Sequence, residues 1–209
     1  MWSRRNRPLP NRQSQLALRR RAAHDPLPRP VKPMVPASDR SPVLGDYTAP
    51  GLMIPRLQGL TPPTVMDELC QALHQVEASL PDLRWTSRAA LNRELLTALT
   101  LDHGAVFPQV QVPGLARPLF ALGRSGQPLQ WLVKFYPPIE LVFLVLLPKP
   151  ATAEAERVVE TLNRLGRDPE QLNLLRQAPT AEQMWQHLCQ VPVVGPPRAP
   201  KTRVGRPQA

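Results

Sequence analysis

Residues 104–148 read GAVFPQVQVPGLARPLFALGRSGQPLQWLVKFYPPIELVFLVLLP. Two apolar runs lie in this stretch, 118–124 and 139–147, separated by glycine and proline. A strand with one wet face shows apolar residues at alternate positions. The second run, Ile-Glu-Leu-Val-Phe-Leu-Val-Leu-Leu, does not alternate, so it predicts a strand buried on both faces at the centre of a sheet. Gly123-Arg124-Ser125-Gly126 predicts the turn that closes the first run. The same glycines would let a backbone approach a phosphate, but the spacing is not that of a P-loop. Trp131, Phe135 and Tyr136 are expected to cover the sheet edge, and Pro137-Pro138 offers a loop for a partner contact.

Working outward, Leu52, Ile54 and Leu57 alternate but are interrupted by Pro55, which predicts an edge strand or extended lead-in. Thr61-Pro62-Pro63-Thr64 opens a helix whose Val65, Leu69, Ala72, Leu73 and Val76 share one face and which ends before Pro81. His74 falls off that stripe and is expected to face solvent. Thr86 or Ser87 caps a second helix with Leu91, Leu95, Ala98 and Leu99 inward, ending near Thr100. Downstream, Thr152 caps a helix whose Val158, Val159, Leu162 and Leu165 face the sheet. Asp168-Pro169-Glu170 opens another, with proline at the first helical position, Leu172 and Leu175 as its apolar face and Leu174 as a further candidate for it. Thr180 begins the last, where Met184, Trp185 and Leu188 pack and Glu182 suits the positive helix start. Strands set among helices predict an α/β domain, a mixed β-sheet flanked by helices on both faces.

The formal charge of +10 first suggests a nucleic-acid binder, but it is unevenly placed. Residues 1–50 carry ten Lys/Arg against three Asp/Glu, and residues 192–209 carry four Lys/Arg and no acid. Residues 51–191 carry 12 basic and 13 acidic side chains and are close to neutral. The division predicts a domain over 51–191 between two basic, Pro/Arg-rich tails, 1–50 and 192–209, expected to be disordered because they cannot bury enough apolar surface. Arg19-Arg20-Arg21 could meet phosphates of nucleic acid or lipid, but only Trp2 and Tyr47 are near to stack on bases. The longest apolar run, 141–147, is too short to span a bilayer, and no apolar segment follows the N-terminal arginines, so a secretory signal is not expected. Cys70 and Cys189 lack metal-ligand spacing and are expected as two reduced, buried thiols in a cytoplasmic protein, with no metal and no cofactor.

The order of several short motifs in this chain resembles the type 2 enzyme IIA domain of the bacterial phosphotransferase system, the fructose/mannitol and nitrogen-regulatory branch. The residues that carry the resemblance are Phe107-Pro108, Val112-Pro113-Gly114-Leu115, Pro118-Leu119, Ala121-Leu122-Gly123-Arg124, Trp131 and Glu140-Leu141-Val142-Phe143-Leu144, with 162–168 (LNRLGRD) downstream. The likeness runs from about residue 52 to residue 189.

The resemblance implies a phosphoryl-accepting histidine after the loop proline and a phosphate-holding arginine two residues later. Here those positions are Gln109 and Gln111. Neutral imidazole is a nucleophile near pH 7, whereas a glutamine amide has no comparable lone pair. The preceding glycine-rich turn keeps only Gly104, and a second histidine of the family falls near Glu154-Ala155-Glu156, where carboxylates would repel a phosphoryl group. His103 lies six residues upstream of Gln109, too far for in-line transfer, which needs reacting atoms about 3–3.5 Å apart. The expectation is therefore no catalytic residue. The implied function is a regulatory or protein-binding module whose contact surface is Pro108, Gln109, Gln111, Pro113, Gly114 and Arg124, with a phosphotransferase-related or regulatory protein as partner. Two other readings compete with it: a working phosphocarrier that uses His103 or another histidine, and a nucleic-acid or anionic-surface tether acting through the basic tails.

Overall fold

The computed structural model describes residues 40–77, 80, 82–97, 103–131 and 138–195. Within them, Met53–Leu57 (β1), Ala105–Val106 (β2), Gln109–Pro113 (β3), Leu119–Leu129 (β4) and Ile139–Lys149 (β5) form one mixed sheet. β4 runs antiparallel to β5, β1 pairs parallel with β4, and β2 and β3 both pair parallel with β5. Every residue from Leu141 to Pro148 is buried. Successive side chains of a strand point to opposite faces, so β5 is covered on both. β1 lies at the edge, with Pro55 placed where no inner ladder needs its missing N–H.

β2 and β3 are one line of chain interrupted by a proline. Ala105 registers with Leu141 and Gln109 with Val145, a constant offset of 36, so no residue is gained or lost between them. The Pro108 carbonyl accepts from Val145 N (2.9 Å), but proline has no N–H to return, which opens the ladder for one step without slipping it.

The helices are Pro62–Val76 (α1), Leu83–Thr97 (α2), Ala153–Gly166 (α3), Pro169–Gln177 (α4) and Ala181–Leu188 (α5). α1 lies on β4, α2 against β3, and α5 against β1. Caps form where the sequence places them: Thr152 Oγ1 accepts from Ala155 N, Asp168 Oδ1 from Glu170 N and Gln171 N, and Thr180 Oγ1 from Gln183 N.

Several expectations need correction. The turn expected at 123–126 is the interior of β4. Gly123 stands there because a Cβ would come within 2.6 Å of Leu57 Cδ2 on the neighbouring strand. α2 begins at Leu83, before the expected caps; Thr86 is buried inside it and its hydroxyl donates to the Asp82 carbonyl (3.2 Å). Val76 is 51 % and Leu174 40 % exposed, so neither joins the core. His74 is half-buried rather than free in solvent, and Cys189 is half-buried while Cys70 is fully buried. Trp131 is buried, whereas Phe135, Tyr136 and Pro137 lie outside the described residues, as do Ala98, Leu99 and the side chain of Leu95.

Residues 42–49, assigned to the N-terminal tail on sequence, are built into the domain. Two short 3-10 turns, Leu44–Tyr47 and Pro50–Leu52, bury Leu44, Tyr47 and Leu52. Thr48 donates to the Phe120 carbonyl (2.8 Å). This segment is sewn to the end of the domain: Leu44 N donates to Val191 O (2.9 Å), Val193 N to Pro42 O (2.8 Å), and Val43 bridges Pro192. Trp185 Nε1 donates to the Gly45 carbonyl (3.1 Å), and Val194 N to Thr161 Oγ1 (3.2 Å). Periodicity could not reveal such a seam, because it joins residues about 150 apart through single hydrogen bonds.

Candidate functional site

The surface centred on residues 108–114 is positioned by β5 beneath it and by an aromatic pair behind it. Phe107 stacks on Phe143 with ring centroids 4.5 Å apart and planes 17° apart, and Phe120 follows at 6.3 Å from Phe143. These buried rings fix the strand from which the polar residues project. Gln109 is half-buried, Gln111, Pro113 and Gly114 are exposed, and Val110 and Val112 between them are buried. The alternation puts Gln109 and Gln111 on one face, registered with Val145 and Leu147. Because the Pro108 carbonyl faces β5, the N–H and C=O of Gln109 and Gln111 point the other way, toward the outer edge. Gly114 ends the strand at φ +80°, a left-handed conformation that glycine adopts freely.

Pro108, Gln109, Gln111, Pro113 and Gly114 are thus brought together, and Arg124 is not. Arg124 pairs with Leu141, whereas Gln111 pairs with Leu147, six residues along β5 or about 20 Å away at strand rise. Its guanidinium is committed to backbone carbonyls, those of Pro55 (2.8 Å), Ala178 (2.7 Å) and Arg176, and so joins β1, β4 and the end of α4.

His103 lies at the far end of β2–β3 from Gln111. Its carbonyl accepts from Arg176, whose side chain also reaches Asn173 Oδ1 (2.9 Å) and lies with Nε 2.5 Å from Glu140 Oε2. That last contact is an ion pair by proximity rather than an aligned hydrogen bond. Gly104 fits beneath: it has φ +69°, and a Cβ there would meet Arg176 Nη2 at 3.0 Å and Pro138 O at 3.1 Å. The sequence reading missed Arg176. The clue was Glu140, a lone charge in an otherwise apolar strand, which needs a partner.

The carboxylates at 154 and 156 occupy the first turn of α3, where the helix dipole favours them. Glu154 hydrogen-bonds the Tyr47 hydroxyl. Burial first, and then this bond, push the Tyr47 pKa up to about 12, against the opposing pull of Arg117 and Arg157. The Arg117 guanidinium lies 5.0 Å over the Tyr47 ring and donates to the Asp46 carbonyl (2.6 Å). Among the described residues no group of three His, Cys, Asp or Glu side chains is placed to hold a metal, and no helix is long and apolar enough to cross a membrane.

No family model matches the chain. It is 26 % identical over 152 residues to a nitrogen regulatory protein of Bradyrhizobium diazoefficiens, a match spanning 70 % of this chain and 95 % of that one. The crystal structure of nitrogen regulatory protein IIA-Ntr from Neisseria meningitidis superposes with a TM-score of 0.59 at 18 % identity, covering 69 % of this chain and 98 % of that one. IIA mannitol from Escherichia coli superposes with a TM-score of 0.53 at 14 % identity, over 67 % and 97 % of the two chains. The fold is therefore that of the type 2 enzyme IIA domains.

Proposed function

We propose that this chain, with its enzyme IIA fold, is a regulatory, protein-binding module rather than a phosphoryl carrier. The observation that carries the reading is Gln109, half-buried on β3 directly after the buried Pro108, where the family resemblance would put the accepting histidine. An amide there cannot take up a phosphoryl group at neutral pH. His103 is a poor substitute, since it sits at the opposite end of the strand with its carbonyl held by Arg176. Fold alone confers no activity, so the site decides.

What remains at 108–114 suits a protein contact. Two glutamine side chains, exposed Pro113 and Gly114, and outward backbone donors and acceptors offer hydrogen bonds without charge. The partner is a phosphotransferase-related or regulatory protein in the cytoplasm. Regulation is favoured over sugar transport because the curated relative is a nitrogen regulatory protein.

The test is incubation of the full chain with phosphoenolpyruvate and the general phosphotransferase proteins, read by intact mass, with Gln109→His in parallel. The expected result is an unmodified wild type. One added phosphoryl on the wild type would overturn the proposal, and its position would identify the true acceptor. Modification of Gln109→His alone would show that the docking surface is retained.

A further inference from the structure

The two outer edges of the sheet differ. At β1, Pro55 withholds an N–H, and its carbonyl accepts from Arg124 Nε (2.8 Å). At the other edge, among the described residues, β3 pairs with β5 alone. Val110 and Val112 turn their backbone groups to β5, while Gln109, Gln111 and Pro113 turn theirs outward. No hydrogen bond from a described residue reaches the outward N–H and C=O of Gln109 or Gln111. Phe107, two residues upstream, is 2 % exposed, whereas Gln109 is half-buried and Gln111 and Pro113 are exposed. The open edge is thus confined to β3 itself.

Edge strands are ordinarily guarded along their length by a charge, a bulge or a proline. Residues 108–115 read PQVQVPGL, without a charge. The register with β5 runs unbroken from Gln109 to Pro113, without a bulge. The prolines stand only at the ends, Pro108 before the strand and Pro113 as its last residue. Gly114, at φ +80°, then leaves the extended conformation.

We infer that this edge pairs antiparallel with the same edge of a second copy of the chain, about a two-fold axis at Gln111. An edge can pair with itself only if its outward groups are spaced evenly about one residue and if that residue tolerates its own likeness. β3 meets both conditions. Gln111 exchanges N–H and C=O bonds with Gln111 of the second copy, and each Gln109 N–H donates to the Pro113 carbonyl opposite. Pro113 serves only as an acceptor there, so its missing N–H breaks no bond on which the pairing depends. A charge at 111 would face its own charge across the axis, whereas an amide meets an amide. The overlap ends at Gln109 and Pro113, short of buried Phe107.

Side chains stand roughly perpendicular to a sheet, so pairing along the edge leaves those of Gln109 and Gln111 open. It sets them beside the same two of the second copy on one face of a continuous sheet, which doubles the contact surface proposed above. A five-residue edge buries less than a standard interface, so the dimer is expected to be weak, with a dissociation constant on the order of 10–100 µM. The inference concerns the strand edge and stands whether or not position 109 accepts a phosphoryl group.

The test is sedimentation equilibrium of the full-length chain from about 5 to 500 µM, which brackets that constant. Gln111→Pro deletes the outward N–H and takes nothing from the ladder to β5; it is expected to weaken the dimer at least about 10-fold. Gln111→Ala keeps the backbone bonds and is expected to stay within about 3-fold of wild type. Gln111→Lys and Gln111→Glu are each expected to weaken association about 5-fold through self-repulsion, and an equal mixture of the two to associate more tightly than either alone. The inference is overturned if the wild type stays monomeric at about 500 µM. It is also overturned if Gln111→Pro, with an unchanged melting curve, dimerises like wild type, or if the mixture is no tighter than its components. Every variant keeps Gln109, so none of these outcomes moves the phosphotransfer result that decides the functional reading.

Discussion

Arg176 Nε lies 2.5 Å from Glu140 Oε2, and the same guanidinium donates to the carbonyl of His103. One side chain from the last turn of α4 therefore holds both the start of β5 and the entry into β2. The two partners are unequally committed. Glu140 is 40 % exposed and keeps much of its hydration, whereas Arg176 is 22 % exposed and serves several acceptors. Arg176→Ala is expected to destabilise the fold by about 1–3 kcal/mol, and Glu140→Gln by less than about 1 kcal/mol. Urea denaturation of the two variants checks this. Equal losses would mean that the ion pair, not the carbonyl contacts, carries the clamp.

Gly45 lies against Cys189. A Cβ at this position would overlap Cys189 Sγ and stand 3.0 Å from its Cα. Gly45→Ala is expected to cost about 1–3 kcal/mol by overpacking. Adding Cys189→Ala removes the sulfur but leaves the backbone contact, so the double variant should recover only part of the loss. Full recovery in thermal denaturation would show that the backbone of the seam is free to shift.

Gly123 poses the analogous question inside the sheet, where the obstructing atoms are side-chain carbons of Leu57. Gly123→Ala is expected to lower stability by about 1–3 kcal/mol. Leu57→Ala alone leaves a cavity, and combined with Gly123→Ala it should lose less than the sum of the two changes. Additive losses in a double-mutant cycle would place the strain elsewhere.

Cys70 is fully buried, and burial, assisted by the Asp67 charge, pushes its thiol up to about 12 from an ordinary 9.0. The folded state thus keeps a proton that the unfolded state releases first. Its contribution is complete below about pH 9 and is lost as pH rises toward about 12, with a slope of at most about 1.4 kcal/mol per pH unit. Tyr47 adds to the decline between its ordinary 10.0 and about 12. Denaturant melts between pH 8 and 11 should show wild-type stability falling, and Cys70→Ala, though less stable at pH 8, falling less steeply. Parallel slopes would remove Cys70 as a cause.

The central strand was legible because burial on both faces leaves an unbroken apolar run, and the starts of α1, α3, α4 and α5 because a cap or a proline is local chemistry; the start of α2 was not, since Thr86 is a buried interior residue of that helix. The interior of β4 was not legible: Gly123 carries the same letter in a turn as in a strand crowded by a neighbour, and only Leu57 distinguishes the two. That Pro108, Gln109, Gln111, Pro113 and Gly114 lie together could be read from one strand and one glycine, since they are close in sequence. Arg124 could not be assigned the same way. Its partners, Pro55, Arg176 and Ala178, lie 52 to 69 residues away, and nothing in local pattern reports them.

With Pro42 and Val193 already hydrogen-bonded, the domain is a ring in all but one covalent link. A short link between these ends would close it, and a cut at exposed Pro179, between α4 and α5, would reopen it elsewhere. In such a circular permutant the contact that now spans the longest loop becomes the most local, so the entropy of closing that loop no longer opposes folding. The order in which the chain is threaded and the architecture it reaches are, for this domain, separable properties.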